Sequence, residues 1–298
     1  MSTNQPLMRN YLDNNIWDQL FDQNVNPKDF LDSLAAKGYT PVISFHTVYE
    51  LARAFTSSDP AVLDRGRQLC AYVKEYLDLG MPCTNEFWEL ILAEAYAYEN
   101  NQPEIDPMAT PEQCTTTAQE LGKLGRGTVE ERVKEFLDQR LDFAKDTRTD
   151  QKSHMGDRDE LKQDLKNIEQ NGLAEWMQKE TFTAEGVNTL FKKFIKRLGP
   201  GATPEYIVGL LRFPAAQAAR ASVRGDLYYN WHCAKHGGIR LDLLDDILHL
   251  LQPIYCDLYI SEDKSQGHYG PIILTPRTRA EIYRDRKIPI LKWILGLL

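Results

Sequence analysis

The sequence predicts an α/β fold with a parallel sheet, assembled from the two ends of the chain around a mostly helical insertion. Three observations predict it. Short apolar runs alternate with amphipathic stretches over residues 1–85, the strand–helix order that builds parallel sheets. From Glu86 to Gly238 the apolar periodicity is helical throughout. A strand-like run, Cys256-Asp257-Leu258-Tyr259-Ile260-Ser261, then returns near the C-terminus. The expected organisation is residues 1–85 as the first half of the core, 86–238 as the insertion and 239–298 as the second half.

Taken in order, Asn10–Asp13 reads as a short buried strand, and Ile16, Trp17, Leu20 and Phe21 follow at helical spacing. Gly38 closes a second helix carrying Phe30, Leu31, Leu34 and Ala35. Pro41–Ser44 reads as a second strand. Val48, Leu51, Ala52 and Phe55 then stand at i, i+3, i+4 and i+7, an amphipathic helix. Asp59-Pro60 joins a cap to an N1 proline and opens a helix with Val62, Leu69, Val73 and Leu77. Within the insertion, Phe87, Leu90, Ile91 and Ala95 share a face. Thr128-Val129-Glu130-Glu131 is a capping box leading to Val133, Phe136, Leu137 and Leu141. Lys145 to Gln170 is dense in charge and reads as an exposed helical arm or a loop. Val187, Leu190, Phe191, Phe194, Ile195 and Leu198 form an apolar face closed by Gly199-Pro200-Gly201, and Ala215 to Lys235 is a further helix stopped by Gly237-Gly238. After Cys256–Ser261, Pro271–Thr275 reads as another strand, with Ser265–Gly270 as the turn between them. Gly122-x-x-Gly125-x-Gly127 lacks the Gly-Lys-Ser/Thr ending of a phosphate loop and reads as an interhelical linker.

At 298 residues, with 42% hydrophobic and 26% charged residues, the chain has the size and composition of an ordinary globular protein. The polar start, Met1-Ser2-Thr3-Asn4-Gln5-Pro6, does not resemble a signal peptide, and no apolar run reaches the ~18 residues of a membrane span. The greasy end, Ile288–Leu298, is too short to span and is expected to dock on the core. Five scattered cysteines without Cys-x-x-Cys suggest reduced thiols and a cytoplasmic location. The net charge of −8 weighs against nucleic-acid binding, which rests on phosphate neutralisation, although the charge of a patch differs from that of the chain.

Four carboxylates carry the chemistry. Asp13 closes the first strand, and Asp263 follows the Cys256–Ser261 strand. Glu50 lies just after the Pro41–Ser44 strand, and Asp246 just before the Cys256–Ser261 strand. Carboxylates at the C-terminal ends of parallel strands point into the crevice where α/β proteins bind ligands. Several together repel one another unless a cation sits between them, and Mg²⁺ or Mn²⁺ suits oxygen donors. Each has a plain structural explanation as well. Thr47-x-x-Glu50 is itself a capping-box pattern, unless Ser44 supplies the cap. Asp13 can cap the following helix, a job that Asn14 and Asn15 could also do. Asp242 and Asp245 rival Asp246 as acids of a first helical turn, and Asp263 fits an ordinary turn. His232-x-x-x-His236 around Cys233 has zinc-like spacing but no second ligand pair nearby, so a helix-end histidine pair is preferred.

In order and spacing these pieces resemble the PIN domain, a metal-dependent nuclease fold. The resemblance rests on Leu12-Asp13-Asn14-Asn15, on Ile43-Ser44 followed by Glu50-Leu51, on Asp246-x-x-His249, and on Cys256 to Lys264 with its Ser261-x-Asp263 ending. It covers the two ends of the chain; a plain PIN domain has far fewer residues between Glu50 and Asp246. The resemblance implies a three-layer α/β/α core and endonucleolytic cleavage of RNA in preference to DNA. Asp13, Glu50, Asp246 and Asp263 would be the catalytic residues, holding Mg²⁺ or Mn²⁺. Asn15, Ser44 and His249 would support them or contact phosphate. Basic faces on the inserted helices, Lys192, Lys193, Lys196, Arg197, Arg220 and Arg224, are the expected RNA-binding residues. Two rivals stand beside this expectation: a metal-dependent hydrolase of small phosphate esters, and a non-catalytic scaffold whose insertion binds a protein partner. The sequence allows a homo-oligomer without requiring one.

Overall fold

The computed structural model describes residues 7–139, 167–169, 172–183, 202–236, 241–274, 277–284 and 287–298. Four parallel strands, β1 (Met8–Leu12), β2 (Tyr39–Val42), β3 (Leu258–Ser261) and β4 (Arg279–Ile282), form one sheet in the order β2-β1-β3-β4. The chain ends thus meet at the centre of the sheet, where Asn10 pairs with Leu258 and Leu12 with Ile260.

Parallel neighbours need crossover connections, and helices supply them. Between β1 and β2 run α1 (Asn14–Asp22) and α2 (Pro27–Ala35); Gly38, with φ +81°, makes the turn into β2. After β2 come α3 (Phe45–Ala52), α4 (Pro60–Asp78), α5 (Phe87–Glu99), α6 (Pro111–Gly125), α7 (131–139), α8 (Leu173–Glu180), α9 (Pro204–Arg212), α10 (Gln217–His236) and α11 (Leu241–Leu250). Between β3 and β4 lies α12 (Gln266–Ile273), and α13 (Ile290–Leu297) closes the chain.

Side chains alternate across the strands, so each sheet face feeds a different core. Tyr11, Val42 and Tyr259 enter one core with α5, α8, α9, α10 and α11. Leu12, Ile43, Leu258 and Ile260 enter the other with α1 to α4, α6 and α13. Helices thus cover both faces, which is why β3 is buried along its whole length. The described helices of 86–238 are shared between these cores: α6 packs on α4, and α5 on α10. The C-terminal segment docks as expected, with Ile290 and Ile294 fully buried and Trp293 against Tyr283.

The last strand differs from expectation. Pro271–Thr275 was expected to form it, yet Pro271–Ile273 end α12, and the segment expected as a turn is the start of that helix. β4 is Arg279–Ile282 instead. It is a half-exposed edge strand carrying Arg279 and Glu281, and charges on an edge strand erase the apolar pattern by which strands are read. The expected Val187–Leu198 face, the Gly199-Pro200-Gly201 and Gly237-Gly238 stops, and nearly all of the Lys145–Gln170 segment lie outside the described residues.

Candidate functional site

Asp13 sits at the C-terminal end of the central strand β1 and serves as N-cap of α1, accepting from the Asn14 backbone N–H at 2.8 Å. Its other oxygen accepts from Asn15 Nδ2 at 2.8 Å and from the Ser261 hydroxyl at the end of β3. Asn15 also accepts from the Glu262 backbone N–H at 2.9 Å, which ties the ends of β1 and β3 together. Capping and a role in the site are therefore combined in one carboxylate.

His249, near the end of α11, places Nε2 2.8 Å from Asp13 Oδ1. The contact pairs an imidazole with a carboxylate inside the protein. Both side chains are almost fully buried. Burial opposes the charge on His249, but Asp13, Glu50 and Asp246 outweigh it and raise its proton affinity. Burial likewise opposes the charge on Asp13, and His249, Ser261 and the Asn14 N–H outweigh that, holding the carboxyl below its ordinary value.

Glu50 lies six residues beyond Ser44, the N-cap of α3, so a Thr47–Glu50 capping box does not form. Its carboxylate reaches Arg53 at 2.9 Å and His46 at 3.6 Å. Burial raises the Glu50 pKa, but His46, His249 and Arg53 bring it below the ordinary value. The rings of His46 and His249 are 5.5 Å apart, so histidines link Glu50 to Asp13. Asp246 is one turn before His249 on α11 and accepts from the Tyr269 hydroxyl at 3.1 Å. Asp263 accepts from the Ser265 backbone and hydroxyl at 2.7 and 2.8 Å, the ordinary turn role, and Ser265 lies 3.3 Å from the Tyr269 hydroxyl. Asp13 lies against His249, and the charges of Glu50 and Asp246 favour the protonated form of the same histidine, while Asp263 reaches Asp246 through Ser265 and Tyr269.

Two expectations about Ser44 are corrected. It makes no side-chain cap bond, and it offers nothing to a phosphate: its hydroxyl is fully buried between Tyr11 and Gln252. The sheet-side core claims it before the crevice can. Arg220 and Arg224 are also not the solvated basic face expected. Arg220 donates to the carbonyls of Leu211, Phe213 and Pro214, closing the C-terminal end of α9. Arg224 is half-buried, and burial pushes its pKa down to about 10. α10 is packed on several sides, which turns its arginines inward. Lys192, Lys193, Lys196 and Arg197 lie outside the described residues, as do the side chains of Asp242 and Asp245.

His46, Ser261 and Tyr269 complete the site. The His46–Glu50 spacing of four residues was a readable sign, since i and i+4 share a helix face. Tyr269 was hidden by the mistaken turn. Another buried acid escaped notice entirely: Glu94 on α5 accepts from the first N–H groups of α10, Ala218 at 2.5 Å and Ala219 at 2.8 Å, and burial pushes its pKa up to about 7. All five cysteines are free thiols, and no described helix is long and apolar enough to cross a membrane.

The oxygen donors suit Mg²⁺ or Mn²⁺ in kind. Their arrangement does not yet suit it: among the described residues, no three His, Cys, Asp or Glu groups are placed to hold a metal ion. Asp13 is already engaged by three donors and by His249, which stands where a cation would. No family model matches the chain, and no curated protein or solved structure matches it.

Proposed function

We propose that the chain is a PIN-like endoribonuclease that uses a divalent metal ion, with the three-layer α/β/α core that the resemblance implies. One observation carries this reading: Asp13, at the C-terminal end of the central strand, meets His249, whose ring lies 5.5 Å from that of His46, the neighbour of Glu50. That is the position at which parallel α/β sheets bind ligands. Asp13, Glu50, Asp246 and Asp263 are the residues that would hold Mg²⁺ or Mn²⁺. The ion would supply an activated water and stabilise charge on phosphate oxygens. Asn15 and Ser261 would hold Asp13 in place, and Tyr269 would orient Asp246.

A second reading is favoured by the same histidine. His249 neutralises the buried acids without any metal, as a scaffold that binds a protein partner would require. Labelled single-stranded RNA incubated with Mn²⁺ or Mg²⁺ separates the two. Internal cleavage that is lost with EDTA and in Asp13→Asn supports the nuclease. Absence of cleavage of RNA and DNA with either metal supports the scaffold. Turnover of p-nitrophenyl phosphate alone indicates a small-ester hydrolase.

A further inference from the structure

A cleft of about 390 Å³ opens beside the acidic centre. Its size lies within the ~300–1,000 Å³ of small-molecule sites. His46 belongs to both: it touches Glu50 on one side and lines the cleft on the other. Rings continue outward from it. His46 lies 5.5 Å from His249 and 6.4 Å edge-on to Phe136, and Phe136 stacks on Tyr49 at 4.0 Å. Trp88 adds a further aromatic wall. The polar lining differs in character. Glu135 and Gln139 add oxygen acceptors, while Arg132 is paired with Glu86 and donates to the Tyr49 hydroxyl.

With Glu86 paired to Arg132, Glu135 leaves the lining net acidic; it disfavours a phosphate group and accepts N–H donors. Aromatic walls with an acceptor edge fit a flat ring bearing an amino group. The geometry points to this cleft as the pocket for one unstacked, amino-bearing base of a single-stranded RNA, seated next to the phosphodiester that reaches Asp13 and Glu50. The inference rests on the nuclease reading for the identity of the strand. A base inside a duplex is stacked and paired and cannot enter such a pocket, so recognition selects unpaired regions. Stacking tolerates sequence differences, whereas the acceptor edge favours adenine, guanine and cytosine over uracil.

The test uses the full chain with EDTA present, so that nothing is cut, and a short single-stranded RNA carrying one 2-aminopurine. Binding should quench its fluorescence. Phe136→Leu and Trp88→Leu keep apolar volume but remove a ring; each should raise the Kd roughly 5- to 150-fold, the range of one base–aromatic stack, and weaken the quenching. Circular dichroism melts confirm that the variants fold. Unchanged Kd in the folded leucine variants overturns the pocket, as does equally tight binding of a blunt duplex. Equally tight binding of free AMP also overturns it, indicating a mononucleotide site instead. If the variants lose affinity but the wild type never cleaves RNA with Mn²⁺, the pocket stands and the nuclease reading falls. Cleavage by the wild type with unaltered variant affinity gives the reverse.

Discussion

His249 Nε2 lies 2.8 Å from Asp13 Oδ1, joining the end of α11 to the end of β1 across 236 residues of chain. This buried ion pair is the hinge of the site. It pairs two almost fully buried side chains that lie far apart in sequence.

The pair makes stability depend on pH in two directions. The folded-state pKa of His249 is raised, so its contribution is complete below the unfolded value of ~6.5 and is lost as pH rises through the raised value. The folded-state pKa of Asp13 is lowered, so its contribution is present above ~3.9 and is lost as pH falls through the lowered value. Both operate between roughly pH 4 and 6.5. His249→Gln should cost ~3–5 kcal/mol in that window, because it leaves a buried carboxylate unpaired. Urea midpoints of metal-free protein at pH 5.5 and 9 check this; an equal loss at both would contradict it.

Asp13→Asn should keep the fold and remove metal binding. An asparagine still caps α1, as N-cap preferences allow. Saturating Mn²⁺ at ~100 times its Kd should stabilise the wild type by about 2.7 kcal/mol and leave the variant unmoved. Thermal melts with and without Mn²⁺ give the readout, and an equal shift in both proteins would remove Asp13 from the ligand set.

Glu94 sets a second pH dependence, of opposite sign to that of Asp13. Its folded-state pKa, about 7, lies above the ordinary 4.5, so ionisation disfavours the folded state. Stability should fall by ~3 kcal/mol as pH rises from about 4.5 to 7. The geometry agrees: the Tyr255 hydroxyl lies 2.5 Å from both Glu94 Oε1 and the Ala215 carbonyl, and its one hydrogen cannot serve both. A proton on Glu94 supplies the missing donor. Glu94→Gln should remove this slope, and urea titrations from pH 4.5 to 8 would show whether it persists.

Asn10 is fully buried in β1, and among the described residues neither of its amide atoms has a partner. An unmet buried polar group costs ~1–3 kcal/mol. Asn10→Leu, similar in volume and facing the Leu12 core, should raise the unfolding free energy by about that much. A destabilised variant would show that the amide has a hidden partner.

Much of this protein was legible in the chain itself, and the legible parts share a cause. Asp13, Asn15 and Asp263 stand beside strongly apolar strands, so β1 and β3 and the acids at their ends announce themselves by local pattern. The amphipathic helix α4 does the same, because one face meets a core and the other meets water. What depends on partners distant in sequence was not legible. Pro271 was read as strand because apolar runs of helix and strand look alike when short; the crossover between β3 and β4 decided for helix. Ser44 holds the N-cap position of α3, but its hydroxyl makes no cap bond and donates instead to Gln252, 208 residues away. Arg220 looked like a basic surface until the carbonyls ending α9 took its guanidinium. The sequence by itself determined the parallel α/β class and the strand-end acids, because those follow from local periodicity. The tertiary structure alone decided which charges meet. Whether His249 or a metal ion answers Asp13 depends on groups brought together only by folding, in a buried site where charges must be paired.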